Sequence, residues 1–310
     1  MINWREIFNL YYSGATYFYL TAPLIVFPIL FIIDAPFGRF SSKNSRLTVN
    51  GTAGWILMEI VSPLSFTTVY LLAPFAPNAE PPPLNHPSTL LATLFVIHYI
   101  NRALISPLRS PDRSKSHIAV VFAAVIFNLV NPPLMAAFLS APGGYPHPLR
   151  RKPATSIPAS PLAGLIQNLQ DKVAARVALS RTLGDALTDP IFLLGIFMFL
   201  VGFVSNIFHD EILYDLRRSH PPTADGEPHY AIPYGGLYKY ISYPNYLCEW
   251  VEFVGFAIAA SPHWDYTPPW MFVVAEIMVM APRAYKGHQW YHQKFPEYPK
   301  DRKAVIPFVY

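Results

Sequence analysis

SYPNYLCEWVEFVGFAIAASPHWDYTPPWMFVVAEIMVMAPR, residues 242–283, holds two apolar runs in succession. Each approaches the length of about 20 residues that crosses a bilayer as a helix. In or beside them stand Asn245, Glu249, Glu252, Glu276 and Arg283. An ionisable group at membrane depth is costly, so by default it marks a functional site. Several of them in two consecutive spans imply a polar cavity built to hold something charged.

Working outward, the whole chain supports a membrane reading. Of its 310 residues 52% are apolar and only 14% charged, against about 25% charged in a soluble domain. The residues predict an all-α, polytopic membrane protein with seven transmembrane helices, near 15–34, 52–74, 88–108, 117–141, 187–209, 242–262 and 266–284. Loops one, three and five and the C-terminus carry clustered Lys and Arg, from Arg39 and Arg109 to Lys303. The second and sixth loops carry none. The positive-inside rule then puts the C-terminus in the cytosol and the N-terminus on the lumenal side. The N-terminal MINWREIFNLYYSG lacks a cleaved-signal pattern, so the first span is expected to direct its own insertion. The net charge of +4 is spread among loops and makes no nucleic-acid surface.

Residues 142–186 break the charge pattern. They open as a Pro/Ser-rich linker, and from Ser160-Pro161 the apolar Leu162, Leu165, Ile166, Leu169, Val173 and Val177 recur at helical spacing. This inserted loop is expected to lay an amphipathic helix on the membrane surface. Residues 187–310 follow as a C-terminal region. Pro132-Pro133 should break or kink the fourth span, and Pro244 should start the sixth helix, placing Asn245 and Glu249 in its first turns. Asp189 before Pro190 reads as a helix cap. The one cysteine, Cys248, excludes a disulfide framework and reads as a small buried residue.

Three groups of residues could carry chemistry. Glu59 lies one to two turns into an apolar helix, and Tyr99 and Arg102 follow His98 in the third span. A buried acid and a phenol could hold a carbonyl oxygen, or Glu59 could simply pair with Arg102 across two helices; the residues leave both open. Asn206, Asp210, Leu213 or Tyr214, and Arg217 fall on one helical stripe. With Asn245, Glu249 and Glu252, and with Arg283, Lys286 and His288, they would form a cytosol-facing pocket suited to phosphate. His288 and His292 stand four apart, but no second histidine box accompanies them, so no metal site is expected. No GxGxxG or P-loop occurs, which excludes those nucleotide folds.

Longer blocks are similar to a known family. SNIFHDEIL, HYAIPYGGLYKYISYPNYLCEWVEFVGFAIA and RAYKGHQWYHQKFPEYPKDRKAVIPFVY resemble the steroid 5-alpha-reductase (3-oxo-5-alpha-steroid 4-dehydrogenase) family. Pro36-Phe-Gly-Arg39, Trp55-Ile-Leu-Met-Glu59 and His98-Tyr99-Ile-Asn101-Arg102 resemble it more sparsely. The resemblance implies a seven-helix enzyme of the endoplasmic reticulum membrane that uses NADPH to reduce a double bond conjugated to a ketone. It places Glu59 and Tyr99 at the ketone of a steroid or other enone lipid. It places Arg102, Asn206, Asp210, Arg217, Tyr230, Asn245, Glu249, Arg283, His288 and Tyr291 around the cofactor. The chain departs from the family pattern at Phe37, Met58, Ala231 and Gly287, and in the 142–186 insertion.

Other classes remain in view. A polyprenoid or enoyl-thioester reductase would share the C-terminal blocks, although enoyl-thioester reductases lack the Trp55–Glu59 block. An S-adenosylmethionine-dependent membrane methyltransferase would need an arginine-histidine pair where Ser242-Tyr243 stands. A lipid transporter or scaffold would leave Glu59 and Tyr99 without a reason.

Overall fold

The computed structural model describes residues 3–33, 47–76, 78–111, 113–142, 178, 180–220, 230–262 and 266–309. Helix α1 (Trp4–Ile32) is followed by α2 (Gly51–Leu72) and α3 (Pro87–Ile100). The third helix runs on through a π-helical stretch, Asn101–Ile105, into α4 (Ser106–Arg109). Then come α5 (Ile118–Leu139), the short α6 (Leu183–Ala186), α7 (Pro190–Ser219), α8 (Pro244–Ala260) and α9 (Pro268–Lys294). The described strands, β1 (Thr48–Val49) and β2 (Ser116–His117), form one antiparallel rung that ties the starts of α2 and α5. The protein is an all-α, multi-pass membrane protein. Helices α1, α2, α3 through Arg109, α5 and α7 are each long and apolar enough to cross a bilayer. Leu10, Leu24, Ile25, Phe197 and Val204 stand exposed on them, as lipid-facing side chains do.

Boundaries follow local chemistry. Asn50 accepts from Ala53 N at 2.9 Å to start α2, and Asp189 accepts from Ile191 N at 2.9 Å to start α7. Pro244 opens α8 as expected. The first helix begins at Trp4, eleven residues ahead of the expected span, because Asn3 caps it and the early Ile7, Leu10 and Tyr11 continue its apolar surface. Helices α7 and α9 outrun their expected apolar segments by about three turns, to Ser219 and Lys294, and so carry polar stripes beyond the hydrocarbon. The inserted amphipathic helix and the Pro36–Arg39 block, with Phe37, lie outside the described residues.

Of the break or kink expected at Pro132-Pro133, the break does not occur; α5 runs through both. Two prolines in sequence deprive the carbonyls of Asn128 and Leu129 of their helical donors. Neighbouring helices replace them: Ser65 Oγ donates to Asn128 O at 3.1 Å, and the Tyr11 hydroxyl donates to Leu129 O. The π-stretch is capped in the same manner. Pro107 has no N–H to offer in that register, and Trp55 Nε1 donates to Arg102 O at 3.0 Å instead.

Helices α7 and α8 form the closest-packed pair. A Cβ on Gly195 would lie 2.6 Å from Gly255 O, and one on Gly202 would lie 2.5 Å from Glu252 N. Small residues let two membrane helices approach at backbone distance. Gly202→Ala should therefore lower stability by about 1–3 kcal/mol, read as a lower Tm of the purified protein. An unchanged Tm would show that the helices separate freely there.

Candidate functional site

Arg102 is the hub of a buried polar centre. Its Nε donates to Glu59 Oε1 at 3.3 Å, and its NH1 reaches Glu249 Oε1 at 2.8 Å. One guanidinium thereby joins α2 to α8, with both carboxylates nearly sealed from outside. Of the two readings left open by the residues, the pairing of Glu59 with Arg102 is present, and Glu59 also acts electrostatically on Tyr99. Trp55 lies between two guanidinium groups, with Arg102 5.3 Å and Arg113 4.3 Å from its ring centre. On the other side of Glu59, Asn128 Nδ2 donates to Met58 O at 2.7 Å and holds α2 in place.

Tyr99 is 4% exposed, with its ring 4.7 Å from that of Phe95 and 5.0 Å from that of His98. Its hydroxyl makes no hydrogen bond to a described residue. Glu59, Arg102, Glu276 and Glu249 are the charged groups that act on it electrostatically. Glu276 on α9 is buried, and its Oε2 has no partner among the described residues.

A second cluster extends from the hub along α7 and α8. Asn206 Nδ2 donates to Asn245 O at 2.9 Å, and Asn245 Nδ2 donates to Asp210 Oδ1 at 3.2 Å. One turn on, the Tyr214 hydroxyl bonds Ser106 Oγ at 2.6 Å, linking α7 to α4. Arg217 stands exposed near the end of α7, within electrostatic range of the half-buried Arg113. Arg113 Nε is buried without a partner among the described residues. With Arg102, Arg217 and the two asparagine amides it makes a donor set matched to a polyanion. In the sequence Arg113 is one of the basic residues of loop three, and nothing local shows that the turn after α4 brings it to the Trp55 ring.

Glu252 departs from the expected pocket stripe. It turns to α3, where its Oε1 meets His98 Nδ1 at 2.7 Å, and it is wholly buried. The reason is axial position: Glu252 lies one turn beyond Glu249 on the same face of α8, opposite the earlier turn of the third helix that carries His98, and so away from the Asn245–Asp210 end.

The remaining candidates gather around the C-terminal tail. His288 Nδ1 meets Ser242 Oγ at 2.6 Å, and Ser242 Oγ meets the Tyr298 hydroxyl at 2.7 Å. Burial pushes the Tyr298 phenol above its ordinary pKa, which keeps the hydroxyl protonated. Tyr291 stacks on Tyr298 with ring centres 5.0 Å apart, and Tyr230 meets Trp290 edge to face. Arg283 is half-buried on α9, between Glu276 and His288 in the chain. The tail is laced to the entrance of α8: Ser242 N donates to Lys303 O and Tyr243 N to Ala304 O. Buried Arg302 donates to Pro233 O at 3.0 Å between the rings of Tyr234 and Tyr298. Gly287 has a local reason, since a side chain there would collide with the Tyr243 hydroxyl.

The structure therefore joins Glu59, Tyr99, Arg102, Glu249, Asn245, Asp210 and Asn206 in one continuous centre. It sets Tyr230, His288 and Tyr291 in a separate aromatic cluster. Such a centre can polarise a carbonyl at one end and hold a charged ligand at the other.

Comparison with known proteins adds independent information. The model of the 3-oxo-5-alpha-steroid 4-dehydrogenase family matches residues 161–310. Over 305 residues the chain is 34% identical to an uncharacterized Schizosaccharomyces pombe protein, covering 92% of this chain and 94% of that one. It is 30% identical over 287 residues to 3-oxo-5-alpha-steroid 4-dehydrogenase 1 of Bos taurus, covering 92% of each. It is also 30% identical over 302 residues to steroid 5-alpha-reductase DET2 of Gossypium hirsutum, covering 95% of this chain and 96% of that one.

Proposed function

Because the chain belongs to the 3-oxo-5-alpha-steroid 4-dehydrogenase (steroid 5-alpha-reductase) family, we propose that it reduces the carbon–carbon double bond of a 3-oxo-Δ4-steroid, or a similar conjugated enone lipid, with NADPH. One observation carries this reading: Arg102 bridges Glu59, which acts electrostatically on Tyr99, to Glu249, one turn along α8 from the Asn245–Asp210 pair. A ketone-polarising group and a cofactor-holding group thereby share one rigid link.

NADPH, when bound, supplies the hydride that adds to the β carbon of the enone. The residues suit such a dinucleotide: Arg113 and Arg217 offer guanidinium groups to phosphate, and Arg102, Asn206, Asp210, Asn245 and Glu249 offer amide and carboxyl partners. The family resemblance extends the cofactor side to Arg283, Tyr230, His288 and Tyr291 in the C-terminal region 187–310, the last three in the aromatic cluster apart from the hub. At the other end the Tyr99 hydroxyl, and Glu59 once it takes a proton in place of its pairing with Arg102, donate to the ketone oxygen and stabilise the enolate that forms as the β carbon is reduced. A proton from water then reaches the α carbon, which restores the ketone and balances the addition. In this reading seven helices span the endoplasmic reticulum membrane, with the N-terminus lumenal and the cofactor side opening to the cytosol.

Purified protein should oxidise NADPH when given testosterone or progesterone, and mass spectrometry should find the product heavier by two hydrogens. A panel that also holds polyprenals and enoyl thioesters identifies the substrate class. No reduction of any enone would reject the reading. Arg217→Ala should weaken NADPH binding by roughly three- to tenfold while changing the KM for the enone far less, since the exposed guanidinium gives only part of a full charge-assisted bond. Equal turnover with NADH would remove the phosphate-gripping role of that arginine.

A further inference from the structure

We propose that His98 and Glu252, which touch neither ketone nor cofactor in the reading above, are positioning residues that set the rotation of α3 and thereby the place of the Tyr99 hydroxyl. The inference rests on the assignment of Tyr99 to the substrate ketone. Its physical basis is a two-rung ladder between α3 and α8. His98 Nδ1 meets Glu252 Oε1 at 2.7 Å, and Arg102 NH1 meets Glu249 Oε1 at 2.8 Å. Residues three and four apart lie one helical turn apart on a shared face, so the two rungs stack along the crossing.

One rung alone would let α3 roll about its axis. The Arg102 rung cannot prevent this unaided, because Arg102 lies inside the π-helical stretch Asn101–Ile105, where the register is already loosened. The His98 rung is anchored in regular α-helix, directly before Tyr99. Its partner is equally fixed: the backbone at Glu252 is pressed against Gly202 of α7, where a Cβ would lie 2.5 Å from Glu252 N. A tyrosine hydroxyl stands roughly 9 Å from its helix axis, so a roll of about 10° displaces it by about 1.5 Å. A displacement of about 1 Å can cost ~10²-fold in rate.

Burial argues that the pair serves position. Glu252 is 0% exposed, His98 is 5% exposed, and the rings of Phe253 and Phe203 close over the histidine. Glu252 Oε2 and His98 Nε2 have no partner among the described residues. Two half-satisfied polar groups are a costly way to join two helices. A well-packed apolar pair commonly does so at equal or greater stability. What an apolar pair cannot supply is a directional contact at a single angle of roll.

The test compares Glu252→Gln, Glu252→Asp and the double variant His98→Leu/Glu252→Met with the wild-type chain in lipid nanodiscs. Thermal stability, NADPH affinity and kcat for an enone are measured together. Glu252→Gln keeps the length and a hydrogen-bonding group, and should hold kcat within about threefold. Glu252→Asp shortens the rung by one methylene. It and the double variant should lose about 10- to 100-fold in kcat, with NADPH affinity and Tm little changed. A structural role alone would move Tm and leave kcat intact in any variant that folds. Wild-type kcat in Glu252→Asp, or in a folded double variant, would overturn the inference. A wild-type chain inert towards every enone would overturn it together with the reductase reading, whereas an active wild type isolates the failure to the dyad.

Discussion

Tyr99→Phe lowers kcat by about 10²–10³-fold in the expected result, while NADPH affinity and Tm stay near those of the wild type. The expectation follows from how the side chain is held. Its ring is packed between Phe95 and His98 and the residue is 4% exposed, so the phenylalanine ring refills the same space. Its hydroxyl makes no hydrogen bond to a described residue, so removal strands no such partner. The loss then falls on one event, the build-up of negative charge on the ketone oxygen. Removing one donor from such a site typically costs about 3–4 kcal/mol in the transition state. Glu59→Gln should act in the same direction, since the amide fills the volume of the carboxyl but is a far weaker acid. Stopped-flow turnover with a conjugated ketosteroid, beside equilibrium NADPH binding, checks both. Loss of cofactor binding in Tyr99→Phe, with turnover retained at saturating NADPH, would show the hydroxyl to belong to the cofactor instead.

Arg102→Met should be the most destabilising single change in the site. The guanidinium satisfies Glu59 at 3.3 Å and Glu249 at 2.8 Å, and lies over Trp55. Its loss leaves two carboxylates facing each other with no cation between them. Breaking one side of a buried ion pair costs about 3–5 kcal/mol. The side chain of Arg102 keeps 30% of its exposure, which places the expectation at the lower end of that range. The measured quantities are Tm and NADPH affinity, and both should fall. Adding Glu249→Gln to Arg102→Met should recover part of the stability, because one orphaned charge is removed; a double-mutant cycle reads this coupling directly. Arg102→Lys should recover less than a full charge would suggest, since a single ammonium does not span two carboxylates as a planar fork does. Additive losses in the cycle would mean that Glu249 and Arg102 do not act on each other.

The two variants separate the halves of the centre. Tyr99→Phe reads the substrate end without disturbing the fold, and Arg102→Met reads the link that carries the other half. Glu252 belongs to neither end, which is why its test turns on rate against stability.

How much of this was legible in the residues depends on the range of the forces concerned. Apolar runs of bilayer length dictate helices, because inside lipid every backbone group must be satisfied within its own segment. That is a local requirement, and so α2, α3, α5, α8 and the start of α7 lie close to where the residues place them. Caps are local as well, and Asp189 and Pro244 open their helices as expected. Motif blocks around Glu59, Tyr99 and Asn245 pointed to a reductase before any geometry was known. Other outcomes were set by neighbours far away in the chain. Pro132-Pro133 would break an isolated helix, yet Ser65 and Tyr11 supply the missing donors across the bundle. Glu249 and Glu252 do share one face of α8, yet the packing of the third helix against it gives the first to Arg102 and the second, one turn on, to His98. Arg113 read as loop charge until Trp55 was found beneath it. The chain by itself thus determined the membrane helices and the chemical types available, since bilayer solvation acts segment by segment. Only the tertiary structure decided which charges meet, because a 3 Å contact between α2, α3 and α8 depends on packing that no single segment encodes.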